Sequence, residues 1–194
     1  MRRRLLTTGL LLLLGNTCVF AQQFNYTYLE LGYAEGEVEN IDAEGYGING
    51  SLALNDYLFG IFDYTNIEPD GFRRLDVTTK SVGLGFNAPL TEITDLVLSA
   101  SWVEGEVDLG RFGSFDDDGI GLGAGIRTWL ADGLELNVSI DYVDFGGNGD
   151  DDTGLGVGLV YSVNSSLAIG LTGDWTDDPD SSIIGIQARF YFGR

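Results

Sequence analysis

The sequence predicts an all-β protein, an antiparallel up-and-down transmembrane β-barrel of about ten strands, with eight as the alternative count. Three observations carry this reading. Apolar residues make up 44% of the chain, yet beyond residue 21 they form no long run and instead alternate with small or polar residues at a period of two. The alternating segments are close to the ~9–11 residues that a tilted membrane strand needs. Glycine is abundant at 29 residues and proline scarce at 3, a balance that suits strands whose second face lines a narrow interior.

The N-terminus precedes the first strand with a leader. Arg2, Arg3 and Arg4 form a positive start, Leu5 to Leu14 an apolar centre, and Val19-Phe20-Ala21 a small-residue cleavage site, the pattern of a secretory signal peptide. The apolar run is about half the ~20 residues of a membrane-spanning helix. The chain therefore divides into a signal peptide over 1–21 and a barrel domain over 22–194. Cys18 falls inside the leader, so the mature chain carries no disulfide or thiol chemistry.

The first strand is Tyr26 to Tyr33, with Leu29, Leu31 and Tyr33 on one face and Tyr28, Glu30 and Gly32 on the other. Gly45 to Leu54 follows, setting Tyr46, Ile48, Leu52 and Leu54 against Gly47, Asn49 and Ser51, and Asn55-Asp56 turns it into Tyr57 to Thr65. In that third strand both faces are apolar; placing Leu58, Phe62 and Tyr64 outward puts Asp63 inside. The fourth, about Val77 to Ala88, opposes Val82, Leu84 and Phe86 to Ser81, Gly83 and Gly85, and a turn containing Pro89 leads to the fifth, with Leu96, Leu98, Ala100 and Trp102 against Val97, Ser99 and Ser101.

The sixth strand alternates most cleanly: Ile120, Leu122, Ala124 and Ile126 against Gly119, Gly121, Gly123, Gly125 and Arg127. After Ala131-Asp132-Gly133, the seventh sets Leu134, Leu136, Val138, Ile140 and Tyr142 against Glu135, Asn137, Ser139 and Asp141. The eighth has Leu155, Val157, Leu159 and Tyr161 against Gly154, Gly156 and Gly158; the ninth has Leu167, Ile169, Leu171 and Trp175 against Ala168, Gly170, Thr172 and Asp174. The tenth occupies Ser181 to Arg194, with Ile184, Ile186, Ala188, Phe190 and Phe192 opposite Gly185, Gln187, Arg189 and Tyr191.

The oily face must point outward. Its partner face is Gly, Ser and Asn with occasional charge, a poor water-facing surface for a soluble sandwich but a fitting lining for a small lumen. All 30 acidic residues fall in loops, turns or the polar face, and none on the apolar face. Tyr33, Tyr46, Tyr64, Trp102, Tyr142 and Trp175 mark one end of the apolar face and Phe86, Tyr161, Phe190 and Phe192 the other, the two aromatic belts of a bilayer span. Residues 35–44, 66–75, 103–118, 144–153 and 176–181 read as the longer, more acidic loops at the cell exterior, with both termini periplasmic.

The opening Tyr26-x-Tyr28 with Gly32-Tyr33, the repeated Gly-x-Gly strands, and Arg189-Phe190 with the closing Phe-Tyr-Phe resemble the small outer-membrane β-barrel proteins of Gram-negative bacteria, including the eight-stranded OmpX-like barrels. The likeness covers the whole mature chain. It implies residence in the bacterial outer membrane after export, lipid and lipopolysaccharide as neighbours, and the barrel-assembly machinery as the partner during insertion.

Function classes are bounded by what is absent. The formal charge of −20 excludes nucleic acid as a partner, and a chain without histidine lacks the usual general base of serine or cysteine triads, so no enzyme is expected. The Gly119–Gly125 run is no nucleotide loop, because its period is two and no helix follows. Two constellations remain. Asp116, Asp117 and Asp118, with Asp150, Asp151 and Asp152, are weak candidates for loosely bound Ca²⁺ or Mg²⁺; no other cofactor is expected. Inside, Glu30, Asp63, Glu135, Asp141 and Asp174 face Arg127 and Arg189 as a lumen ion network, with an Arg189–Glu30 pair across the closing seam. The expected role is structural or surface-interacting; the alternative is a narrow, passive, cation-preferring channel.

Overall fold

A computed structural model describes residues 23–71, 75–146, 151–177 and 180–192; the leader over 1–21, Asp150, and residues 193 and 194 lie outside them. Among the described residues ten strands form one closed antiparallel barrel in which every strand pairs with its sequence neighbours and the last pairs with the first. They are β1 (Tyr28–Val38), β2 (Ile41–Ala53), β3 (Leu58–Pro69), β4 (Asp76–Thr91), β5 (Thr94–Asp108), β6 (Ser114–Ala131), β7 (Leu134–Asp144), β8 (Asp152–Ser162), β9 (Leu167–Asp177) and β10 (Asp180–Tyr191). Closure leaves no unpaired edge in hydrocarbon, where an unpaired peptide group has no water to bond.

The faces fall as alternation requires. Leu31, Leu52, Leu84, Leu122, Ile140, Leu171 and Ile186 project outward, and Leu122 is 52% exposed. On β3, Leu58 and Phe62 face out while Phe59 is buried, and Asp63 pairs with Asn49. The outward apolar stripe on β6 runs from Ile120 to Leu130; at about 3.3 Å per residue and a tilt of about 40°, that is about 25 Å, the height of an outer-membrane apolar band.

The connections differ from the sequence reading at the outer end. Most of residues 35–44, 103–118 and 176–181 are strand rather than loop, and β1 and β2 meet in a two-residue turn at Glu39-Asn40, both with positive φ. The hairpin ladders continue beyond the aromatic belt because backbone pairing does not depend on side-chain polarity. There the outward positions change from Leu and Ile to Glu35, Glu37, Glu104, Glu106, Asp116 and Asp118. Acids thus do occupy the parity of the apolar face, above the bilayer, where water solvates them.

Three smaller boundaries move as well. β4 runs through Pro89 to Thr91 with a register shift there, where a missing N–H is tolerated. The Asn55-Asp56 turn widens, with Asn55 Oδ1 accepting from the amides of Tyr57 and Leu58, each at 2.9 Å. Residues 23–27 precede the sheet instead of opening it.

Candidate functional site

The barrel interior is built in tiers, and the lowest is the N-terminal segment. Phe24 and Tyr26 share the inward parity of Tyr28 and Glu30, so the chain before β1 turns into the barrel mouth at the end where both chain termini lie. Phe24 and Tyr26 are 9% and 8% exposed. Phe24 stacks on Trp129 at 5.1 Å and Tyr26 on Phe59 at 4.7 Å between ring centroids, with Ile61 and Val97 packed against them. The Tyr26 hydroxyl donates to Asp95 Oδ2 at 2.9 Å, and Ser51 Oγ donates to the Tyr26 carbonyl at 2.7 Å.

Above this plug lies the ion network. Arg127 meets Glu135 in a two-pronged contact, Nε to Oε1 at 2.9 Å and Nη2 to Oε2 at 3.0 Å, the fork geometry that makes Arg–carboxylate pairs strong. Arg189 Nε lies 2.7 Å from Glu30 Oε1 and its Nη1 3.3 Å from Glu135 Oε1. Glu30 and Arg189 are direct register partners across the β1–β10 seam, and Gln187 Nε2 adds a donor to Glu30 at 2.7 Å. The guanidinium of Arg127 also sits 4.6 Å from the Tyr26 ring centroid and 5.0 Å from that of Phe24, and that of Arg189 is 4.4 Å from Tyr28, within cation–π range. Burial of these four charges is compensated by mutual pairing.

Asp63, Asp141 and Asp174 do not join that network. They stand nearer the outer end: Asp174 is the register partner of Ile183, well up β10 from Arg189, while both arginines lean onto the aromatic rings below. Asp63 accepts from Thr65 Oγ1 at 3.1 Å and Asp141 from Ser139 Oγ at 2.8 Å. Inward glycines leave room for them, since a Cβ on Gly123 would meet Asp141 Oδ1 at 2.6 Å and one on Gly156 would meet Asp174 Oδ1 at 3.2 Å.

Two cavities of about 400 and 350 Å³ lie in this upper lumen and share Glu30, Asn49, Thr172, Asp174 and Gln187 in their walls. The upper one shares Ala43 and Glu44 with a groove at the outer rim. The lower one reaches Tyr28 and Val97, at the plug. The interior is thus a vestibule leading from the mouth at the acidic hairpin end to a stoppered floor at the end where the chain termini lie.

Outside the barrel, Tyr33, Tyr46, Trp102 and Trp175 are exposed at the outer end of the apolar stripe and Phe86, Tyr161, Phe190 and Phe192 at the inner end. Tyr64 and Tyr142 are half-buried; the Tyr64 ring lies 6.4 Å from that of Tyr46, and Tyr57 stacks on Phe86 at the inner end. Belt donors reach into the acidic collar: the Tyr33 hydroxyl donates to Glu44 at 2.7 Å and Glu35 at 3.0 Å, and Trp102 Nε1 to Asp118 at 3.4 Å. Lys80 pairs with Glu104 at 3.1 Å above Val82, and that hydrogen bond and charge hold its ammonium above its usual range.

Among the described residues, which leave out Asp150, the rim aspartates do not assemble. On β6, Asp116 and Asp118 share one face and Asp117 the other, as strand alternation dictates, and among the described residues no group of three or more carboxylates is placed to hold a metal ion. Asp152 opens β8 opposite Val143 of β7, and Asp151 precedes the strand.

Sequence reasoning missed the plug and the bridging place of Glu135. The parity of Phe24, Tyr26, Tyr28 and Trp129 with Glu30 and Arg127 was the available clue, because four aromatics on a polar face need a reason.

A family model described as outer membrane protein beta-barrel domain matches residues 8–162. No curated protein matches the chain. Among solved structures, the NanC porin superposes with a TM-score of 0.52 at 8% identity, covering 84% of this chain and 100% of that one. A KdgM porin solved in complex with disordered oligogalacturonate gives 0.50 at 10% identity, covering 84% and 99%. The N-terminal β-barrel domain of Pseudomonas aeruginosa OprF gives 0.45 at 12%, covering 87% and 100%. At such identities the likeness is one of fold.

Proposed function

The chain belongs to the outer membrane protein beta-barrel domain family and is therefore a bacterial outer-membrane β-barrel, and from that premise we propose that it is a resting-closed barrel with a structural or surface-interaction role and no catalysis. The observation that carries this is the filled periplasmic half, where Arg127, Glu135, Arg189 and Glu30 cross the lumen above Phe24 and Tyr26. What the barrel presents to the exterior is an acidic collar of paired strands raised above its outer belt. Its neighbours in this reading are outer-membrane lipid and lipopolysaccharide, with the barrel-assembly machinery reading the terminal strand during insertion. Loosely held Ca²⁺ or Mg²⁺ at the collar would be shared with lipid phosphates rather than caged by the protein.

A second reading, the passive cation-preferring channel, draws on Asp63, Asp141 and Asp174, which have no basic partner among the described residues, since rings of carboxylates favour cations. An acidic sugar polymer such as that bound to the KdgM porin is disfavoured, because both lumen arginines are already committed to carboxylates. Planar-bilayer recording of the purified full chain separates the two readings. The closed barrel gives no resolved current steps, whereas stable cation-selective steps would overturn it.

A further inference from the structure

We infer that the segment Gln23–Thr27 is a releasable stopper, and that its departure converts the barrel into a cation-conducting pore. This rests on the resting-closed reading and adds that the closure is reversible.

The stopper is attached differently from the wall it closes. Every strand is hydrogen-bonded on both sides, whereas Gln23, Phe24 and Asn25 make no backbone hydrogen bond to the barrel among the described residues. Hydrogen bonds from the wall begin at Tyr26, whose carbonyl accepts from Ser51 Oγ at 2.7 Å, and continue at the hinge, with the Phe192 amide donating to the Thr27 carbonyl at 3.0 Å and the Ala53 amide to Thr27 Oγ1 at 3.1 Å. Phe24 and Tyr26 are held by ring stacking, by Arg127, and by the Tyr26–Asp95 hydrogen bond.

Docking is also imperfect. Asn25 Nδ2, Arg127 Nη1 and Trp129 Nε1 are buried without a hydrogen-bond acceptor, and all three belong to the stopper or to the residues its Phe24 touches. Buried donors left unpaired oppose the docked state and regain partners when water enters.

What lies beneath is polar. The ion network bridges β6 and β7 to β10 and β1 across the lumen and leaves the β2–β5 side to the stopper. On the other side the Tyr26 ring fills the gap beside Phe59, and the groups it covers include Asp95 and Ser51, both buried. With Tyr26 withdrawn, Asp95 lines a passage continuous with the lower cavity through Val97, and from there with Asp174, Asp63 and the outer rim. Arg127 and Arg189 stand in the wall of that path but are already paired with Glu135 and Glu30, so the carboxylates of Asp95, Asp141, Asp174 and Asp63 remain in excess along it, which selects cations.

The experiment compares the full chain with Phe24→Gly/Tyr26→Gly in planar bilayers, with folding of each checked by heat-modifiable migration. A silent parent and a variant with cation-selective steps are expected, and adding Asp95→Asn to the variant should bring its reversal potential closer to zero. A parent that already conducts overturns both the closed reading and the stopper. A silent parent with a folded but silent variant leaves the barrel closed and overturns the stopper alone. Should the double variant fail to fold, Tyr26→Cys in a Cys18→Ser background supplies the same decision. Modification by a small water-soluble thiol reagent in the folded barrel, followed by the appearance of current, supports release, and a cysteine that reacts only after unfolding refutes it.

Discussion

Substituting Arg189 by Met probes the seam where the barrel closes, and the structure fixes how the loss distributes. Arg189 serves two carboxylates, Glu30 at 2.7 Å and Glu135 at 3.3 Å, with side-chain exposures of 5% for the arginine, 11% for Glu30 and 1% for Glu135. Its removal leaves Glu135 with the two-pronged Arg127 contact but leaves Glu30 with only the Gln187 amide, a buried charge stripped of its counter-charge. Such a break costs about 3–5 kcal/mol. Glu30→Gln is milder, about 1–3 kcal/mol, because Arg189 keeps Glu135 and loses one charged hydrogen bond. In the double variant neither charge remains, so its cost should fall short of the summed singles by about 1–3 kcal/mol. The assay is urea unfolding in detergent micelles over the four-member cycle. Additivity within about 0.5 kcal/mol would refute the argument that these two residues act as a pair.

Three further outcomes follow from the same geometry. Leu122→Arg, on the lipid face two residues in from the outer end of the apolar stripe, should destabilise the barrel by about 1–2 kcal/mol, between the interface and midplane costs of such a charge, while Gly123→Ser one residue away should be mild because its new atoms meet the mobile ends of Ser99 and Asp141; the same unfolding assay compares them. Tyr26→Phe removes the donor to buried Asp95 and should cost about 1–3 kcal/mol, read from the urea midpoint. Glu104 faces Asp118, and Glu106 faces Asp116, directly across β5 and β6; Asp116→Lys replaces a like-charge pair by an opposite one and should gain about 0.2–1 kcal/mol, an advantage that shrinks at high salt.

The strand count, the inward and outward faces and the aromatic belts were legible because all of them project onto a period of two, which no neighbour in space can alter. The outer ends of the strands were not, since the apolar signal stops where the bilayer stops although the ladder continues. Glu39-Asn40, lacking the glycine of the commonest two-residue hairpins, gave no sign of a tight turn. Within the lumen, Arg127, Glu135, Arg189 and Glu30 were recognisable as inward charges. Which of the five acids the arginines would choose depends on stagger between distant strands, and the seam register of Glu30 and Arg189 is a property of closure rather than of any local stretch. The stopper escaped because Tyr26 continues the alternation of β1, so its departure from the sheet leaves no mark on the pattern.

The claim on which the account rests is that the lumen opens to the cell surface and is sealed toward the periplasm, and side-specific thiol labelling tests it most directly. In a Cys18→Ser background, Thr172→Cys lies in the wall of both upper cavities, and Ala168→Cys lies at the level of Arg189, fully buried. On intact cells a small, charged, membrane-impermeant thiol reagent should modify the cysteine at 172 and leave the one at 168 untouched until the barrel is unfolded. Equal modification at both positions, or none at 172, would contradict the account.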